Sequence, residues 1–213
     1  MEFISQELDD YVCAHTEKEP ELLYELNRRT HLEVLVPRML SGHFQGRALS
    51  MISHMVRPKT ILEIGTYTGY SALCMAEGLA EGGKIITLDK NEELEDLIME
   101  FVGRAGLTDN VDFRIGDAME IIPTLDEQFD LVFIDADKGN YGNYYDLVID
   151  KVPSGGYILL DNVLWSGKVM EEVEPNDIDT KALIELNERV HKDDRVQNLM
   201  LPIRDGLTIL RKK

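Results

Sequence analysis

Residues 60–71 read Thr-Ile-Leu-Glu-Ile-Gly-Thr-Tyr-Thr-Gly-Tyr-Ser, a short apolar run that stops at Gly65 and turns through Gly69 into a helical pattern. Such a run, closed at once by glycine, suits a buried strand that enters a helix through a tight turn. The pattern recurs outward from this stretch. Runs at 84–89, 111–117, 130–135 and 157–161 each end in polar or acidic residues. Leu131-Val132-Phe133-Ile134 and Ile158-Leu159-Leu160 are continuously apolar, as strands of a parallel sheet covered on both faces are. Helical patterns lie between them at Ser71 to Ala80, Glu92 to Ala105 and Tyr144 to Val152, and another runs from Asp179 to about Lys192. Strand and helix alternate, which predicts an α/β class with a parallel sheet.

The two ends differ from the middle. Val196 to Leu201 and Leu207 to Leu210 are separated by Pro202 and Asp205-Gly206, and read as an antiparallel hairpin closing one sheet edge. The first 57 residues carry two or three amphipathic helices, which could pack on the sheet, cover its ligand site or serve a partner. No repeat or long linker interrupts the chain. It reads as one domain over 1–213, with a helical extension or lid at 1–57 and a core at 58–213.

Composition narrows the partners. The 213 residues include 40 acidic and 22 basic side chains, a formal charge of −18. Phosphate backbones and anionic lipid are poor partners for such a chain unless a basic patch forms locally, and Arg28-Arg29 and Arg211-Lys212-Lys213 are short. Cys13 and Cys74 have no partner at metal-ligand spacing, so they read as free thiols. The start lacks the basic region and apolar run of a signal peptide, and no stretch is long and apolar enough to span a bilayer. A cytoplasmic protein is expected.

Ligands of open α/β sheets bind beyond the carboxyl ends of the strands. Gly65 and Gly69 permit a tight turn there, but neither the GxGxxG of dinucleotide sites nor a P-loop occurs. Asp89 ends the second run, where a carboxylate can accept both hydrogen bonds of a ribose diol. An adenosine without phosphates fits this pair, although a glycine turn can be only a turn and a strand-end acid only a cap.

Three segments together carry more than any one of them: Glu63-Ile64-Gly65-Thr66-Tyr67-Thr68-Gly69-Tyr70-Ser71, Phe133-Ile134-Asp135-Ala136-Asp137-Lys138-Gly139-Asn140-Tyr141, and Leu160-Asp161-Asn162-Val163-Leu164-Trp165. In this order the chain resembles the cation-dependent O-methyltransferases, the family of the catechol and caffeoyl-CoA O-methyltransferases. The resemblance runs from about Met39 to the C-terminal hairpin. It implies a Rossmann-like methyltransferase fold, a mostly parallel seven-stranded sheet with helices on both faces and a C-terminal antiparallel hairpin. S-adenosylmethionine is the implied methyl donor. Residue by residue, the resemblance implies that Glu63, Gly65, Tyr67 and Ser71 line its methionine and sulfonium end. It further implies that Asp89 holds the ribose, that Gly116, Asp117 and Ala118 contact the adenine, and that Asp137 meets the amino group.

Asp135 ends the fourth run, and Asp161-Asn162 end the fifth. Two carboxylates and an amide, without His or Cys, favour Mg²⁺ first, with Mn²⁺ or Ca²⁺ also accommodated, over zinc. The remaining coordination positions suit a substrate with two adjacent oxygens, such as a catechol, whose reacting oxygen the metal would activate and aim. Read alone, the two acids could instead be helix caps. Lys138 follows three residues after Asp135, where a neighbouring dication disfavours its ammonium form and leaves an amine to take the phenolic proton. Without the resemblance, Lys138 reads rather as a solvated loop lysine paired to Asp137 or Asp161; with it, as the base. Trp165 could stack on an aromatic substrate or anchor the core. His43, in the lid-like stretch 40–46, is not counted among the catalytic residues, and the loop 166–179 reads as one that tunes substrate choice.

The expected activity is methylation of one hydroxyl of a small catechol-like molecule. An alternative is a tRNA 5-hydroxyuridine O-methyltransferase, disfavoured by the lack of a basic stripe. Another, of a different class, is a cofactor-binding protein without catalysis. Leu22, Leu23, Leu26, Leu32, Val34 and Leu35 could support a homodimer or serve the monomer's own packing.

Overall fold

The computed structural model describes residues 5–213; residues 1–4, the start of the expected helical extension, lie outside the described part. Seven strands form one sheet, β1 (Thr60–Ile64), β2 (Lys84–Asp89), β3 (Val111–Ile115), β4 (Leu131–Ile134), β5 (Tyr157–Asp161), β6 (Val196–Leu201) and β7 (Leu207–Lys212). Their order is β3-β2-β1-β4-β5-β7-β6. The β1/β2, β2/β3 and β4/β5 pairs are parallel, while β7 runs antiparallel to both β5 and β6. This is the mostly parallel sheet with a C-terminal hairpin that the sequence leads one to expect. The chain divides into two compact units, one ending at Asp117 and the other comprising Ala118–Lys213.

In the first unit, helices α1 (Gln6–Ala14), α2 (Glu21–Glu33) and α3 (Gly42–Val56) precede β1, and α4 (Tyr70–Ala76) and α5 (Glu95–Arg104) connect the strands. Ile61, Leu62, Ile85, Ile86, Leu26 and Phe101 are buried at its centre. Full burial of one such side chain stabilises by roughly 1.5–3 kcal/mol. The helix expected over Ser71 to Ala80 stops at Ala76 because the chain must pass close to α3. A Cβ on Gly78 would lie 2.3 Å from the backbone nitrogen of His54, so only glycine fits the crossing. The first turn expected of α5 is a 3₁₀ turn over Glu92–Leu94, capped by the Asn91 side chain, which accepts from the Glu93 N–H at 3.0 Å. β3 is shorter than its run and only partly buried. Its Asp112 and Arg114 pair at 2.7 Å, and charge of this kind suits the end position of β3 in the sheet order.

In the second unit, α6 (Ala118–Ile121), α7 (Tyr141–Ile149) and α8 (Ile178–Lys192) accompany β4 to β7. Every residue of β4 is fully buried, and Tyr141, Tyr144, Tyr145 and Phe129 join Phe133 in the core. α7 starts three residues before its apolar pattern because the 3₁₀ turn Lys138–Asn140 leads directly into it. Asp177 caps α8 by accepting from the Thr180 N–H at 3.0 Å. Among the described residues no helix is long and apolar enough to cross a membrane.

Candidate active site

The turn after β1 is built as its glycines require. Gly65 (φ 98°) and Gly69 (φ 82°) take left-handed backbone conformations, and Tyr67 joins them at φ 51°. Asp89, at the end of β2, holds this turn: one carboxylate oxygen accepts from the Tyr67 N–H at 2.7 Å and the other from the Asn91 N–H at 2.9 Å. Each oxygen keeps a further lone pair for a ligand hydroxyl. Glu63 is completely buried inside β1, accepting from Ser71 Oγ at 2.5 Å and from the Thr87 hydroxyl. A buried carboxylate needs such donors, and they hold the start of α4 against β1 and β2. The Tyr67 hydroxyl donates to the carbonyls of Leu35 and Val36, at 3.1 and 3.3 Å. Gly116 donates its N–H to the Asp89 carbonyl at 2.8 Å, and Asp117 pairs with Lys90 at 3.2 Å. Glu63, Gly65, Tyr67, Ser71 and Asp89 are thus linked by backbone and side-chain bonds in the first unit, with Gly116 and Asp117 just beyond β3. His43 lies 2.6 Å from the Glu17 carbonyl oxygen, a contact within the helical region.

The remaining candidates lie in the second unit. Lys138 is 8% exposed, which rules out the solvated-lysine reading. Its Nζ donates to Asp135 Oδ1 at 3.0 Å and to the Tyr141 hydroxyl oxygen at 2.7 Å, and lies 5.8 Å from the centre of the Trp165 ring. Its carboxylate partner is Asp135, where the sequence suggested Asp137 or Asp161. Asp161 is 2% exposed and accepts from the Asn162 N–H at 2.9 Å, with Asn162 in the left-handed region at φ 57°. Burial, then the charges of Asp135 and Asp161, raise the Tyr141 phenol well above its ordinary pKa. Asp137 is held by the Tyr144 hydroxyl and the Asn140 amide, and Ala118 is buried at the start of α6. Trp165 is half-buried, short of a core anchor.

Among the described residues no three His, Cys, Asp or Glu side chains gather as a metal site. The candidate set contains only two residues of those types and completes itself with an amide. Two carboxylates and an amide, one carboxylate almost fully buried, are the hard oxygen donors that a Mg²⁺-like ion takes. The residues present fit such an ion.

Two residues escaped the sequence reading. Tyr141 stands inside a quoted motif, three positions after Lys138, but nothing in the pattern says that its hydroxyl meets the amine. Asp205 reads as a hairpin-turn residue, yet its carboxylate accepts from the Ser166 N–H.

A parallel α/β sheet closed by an antiparallel hairpin, bearing a glycine turn and a strand-end acid in place of a phosphate-binding loop, defines a Rossmann-like enzyme of the methyltransferase type. Comparison with known proteins narrows this. A family model described as O-methyltransferase matches residues 13–213. Caffeoyl-CoA O-methyltransferase 1 of Arabidopsis thaliana is 38% identical over 188 residues, covering 82% of this chain and 71% of the relative. The O-methyltransferase from Bacillus cereus, solved in complex with SAH, superposes with a TM-score of 0.90 at 29% identity, covering 97% of each chain. TomG from Streptomyces achromogenes, solved in complex with SAM, gives 0.91 at 26% identity, covering 99% of this chain and 100% of TomG. The chain belongs to the O-methyltransferase family and is an S-adenosylmethionine-dependent O-methyltransferase of the caffeoyl-CoA type.

Proposed function

We propose that the enzyme methylates one hydroxyl of a small aromatic bearing two adjacent hydroxyls, with a divalent cation, Mg²⁺ first among them, held by Asp135, Asp161 and Asn162. The observation that carries this reading is the buried Lys138, bonded at once to Asp135 and Tyr141. A buried amine held at two points is poised to move a proton, whereas a surface lysine is not. When bound, the cation supplies charge neutralisation for the developing phenolate and a template for the two oxygens.

The chain's own residues do the rest. Lys138 Nζ takes the proton of the reacting hydroxyl, and Asp135 and Tyr141 fix where that nitrogen stands. Trp165 offers its face to the aromatic ring. On the donor side, Asp89 accepts from the ribose diol, Glu63, Gly65, Tyr67 and Ser71 line the methionine end, Gly116, Asp117 and Ala118 meet the adenine, and Asp137 meets the amino group. Methyl transfer is a displacement at carbon, so these residues serve to bring the acceptor oxygen in line with the sulfonium. Residues 5–57 act as a helical extension or lid of a single methyltransferase domain, working in the cytoplasm.

A homodimer belongs to the same reading. Leu32 and Leu35 are 71% and 86% exposed, while Leu23 and Leu26 are already buried within the chain. A single monomeric species in analytical ultracentrifugation at micromolar concentration would remove the dimer.

The deciding assay is methylation of caffeate or another catechol with Mg²⁺, then with EDTA. Activity restored by Mg²⁺ after chelation is expected; turnover untouched by EDTA removes the cation. Methylation of hydroxyuridine in bulk tRNA in place of catechols would move the substrate to nucleic acid. S-adenosylmethionine binding in calorimetry with no product from any acceptor would favour a non-catalytic protein.

A further inference from the structure

After Asp161 and Asn162 the chain enters an unusual turn. Trp165 (φ 48°), Ser166 (φ 54°) and Gly167 (φ 85°) are left-handed in succession, and only the third is glycine. Two consecutive non-glycine residues in this region are strained, and they persist only where surrounding contacts hold them. Those contacts come from the β6–β7 connection. The Leu164 N–H donates to the Asp205 carbonyl at 2.9 Å, the Val163 N–H to the Gly206 carbonyl at 3.3 Å, and the Ser166 N–H to the Asp205 carboxylate. Leu164 lies so close to Gly206 that a Cβ there would stand 2.5 Å from its Cγ. Asn187 adds a bond to the Val163 carbonyl at 2.9 Å.

Of these bonds, one is made by a side chain that reaches the strained residues themselves. Asp205 grips Ser166, the residue next to Trp165, and the indole of Trp165 faces Lys138. Burial raises the Asp205 carboxyl above its ordinary range, and the Ser166 N–H pulls it back, so this donor helps to keep the carboxylate charged.

We propose that Asp205 is a positioning residue for acceptor recognition: by accepting from Ser166 it holds the left-handed turn that sets the Trp165 ring against Lys138. Its effect on the acceptor runs through Ser166 and Trp165. The inference rests on the proposed acceptor site for its kinetic consequence, but not for its structural one.

Trp165 is the only tryptophan in the chain, so its fluorescence reports on the turn directly. Asp205→Ala should red-shift the emission and increase acrylamide quenching, while Asp205→Asn, which keeps an acceptor oxygen, should leave both near the wild-type values. In catechol turnover, Asp205→Ala should raise the acceptor KM about tenfold with the donor dissociation constant unchanged, and Asp205→Asn should stay within about threefold. Unchanged emission in Asp205→Ala, or equal damage from Ala and Asn, overturns the proposal. If the alanine variant does not fold, amide exchange in the unaltered protein decides. Ser166 is exposed, so a slowly exchanging N–H there supports the bond and a freely exchanging one refutes it. The emission and exchange measurements need no substrate, so they decide the positioning whatever acceptor the enzyme takes.

Discussion

Lys138 Nζ donates a 2.7 Å hydrogen bond to the hydroxyl oxygen of Tyr141, and both side chains are buried. Nζ lies 4.7 Å from the centre of the Tyr141 ring, out beyond its oxygen, so the tyrosine holds the lysine through the hydroxyl. Mutation tests that contact. Tyr141→Phe keeps the ring and removes the oxygen, and should lower kcat about tenfold, the equivalent of one ordinary hydrogen bond. Lys138→Ala should lower it by about 10²–10⁴, as loss of a general base does. Steady-state kinetics with a catechol, and donor binding by calorimetry, check both; near-wild-type turnover in Lys138→Ala ends its role as base.

The buried Glu63 carboxylate depends on hydroxyl donors that include Ser71 and Thr87. Thr87→Val keeps the shape of the side chain and deletes the hydroxyl. It should destabilise the fold by about 1–3 kcal/mol, because a carboxylate out of reach of water loses one donor. Urea unfolding measures this, and an unchanged midpoint would contradict the account of the β1–β2 contact.

Two glycines should respond in opposite directions to alanine. Gly78→Ala drives a Cβ into the α3 backbone at 2.3 Å and should cost about 1–3 kcal/mol or more. Gly103, within α5, has no neighbouring heavy atom within 4 Å of an added Cβ, and Gly103→Ala should stabilise by about 0.5–1 kcal/mol through helix propensity. Thermal denaturation of the two variants side by side tests the pair.

Asp193 gives a pH signature. Hydrogen bonds from Arg195 hold its carboxyl well below the ordinary carboxylate range, and the Tyr145 hydroxyl adds another at 2.9 Å. A carboxyl depressed on folding contributes stability above its unfolded pKa, about 4, and loses that contribution as pH falls toward the folded value. Asp193→Asn should therefore destabilise the protein at pH 7, with the gap to wild type narrowing below about pH 4. A gap that stays constant down to about pH 2 would show that the charge plays no part.

The strands were largely legible because their apolar runs are continuous and end abruptly: β2 and β5 match their runs, and β1, β4 and the hairpin lie within a few residues of theirs. Helix ends were less so. α4 stops early because Gly78 must pass α3, a contact between segments distant in sequence that no local periodicity encodes. At the candidate site, the glycine turn and the strand-end carboxylates were readable, since both follow local rules. Partners were not: Lys138 pairs with Asp135, and Tyr141 and Asp205 gained roles that depend on where neighbouring turns meet.

The sequence by itself determined the α/β class, the parallel core with its hairpin and, through three short motifs, the family, because strand burial and turn chemistry are written in short stretches of chain. Only the tertiary structure decided which amine is buried, which carboxylate it pairs with, and how the β6–β7 connection restrains the turn that carries Trp165. The physical reason is range. A strand or a glycine turn answers to its immediate neighbours, whereas a hydrogen bond such as Ser166 to Asp205 joins residues 39 apart and exists only once folding has met the entropy cost of closing the loop between them.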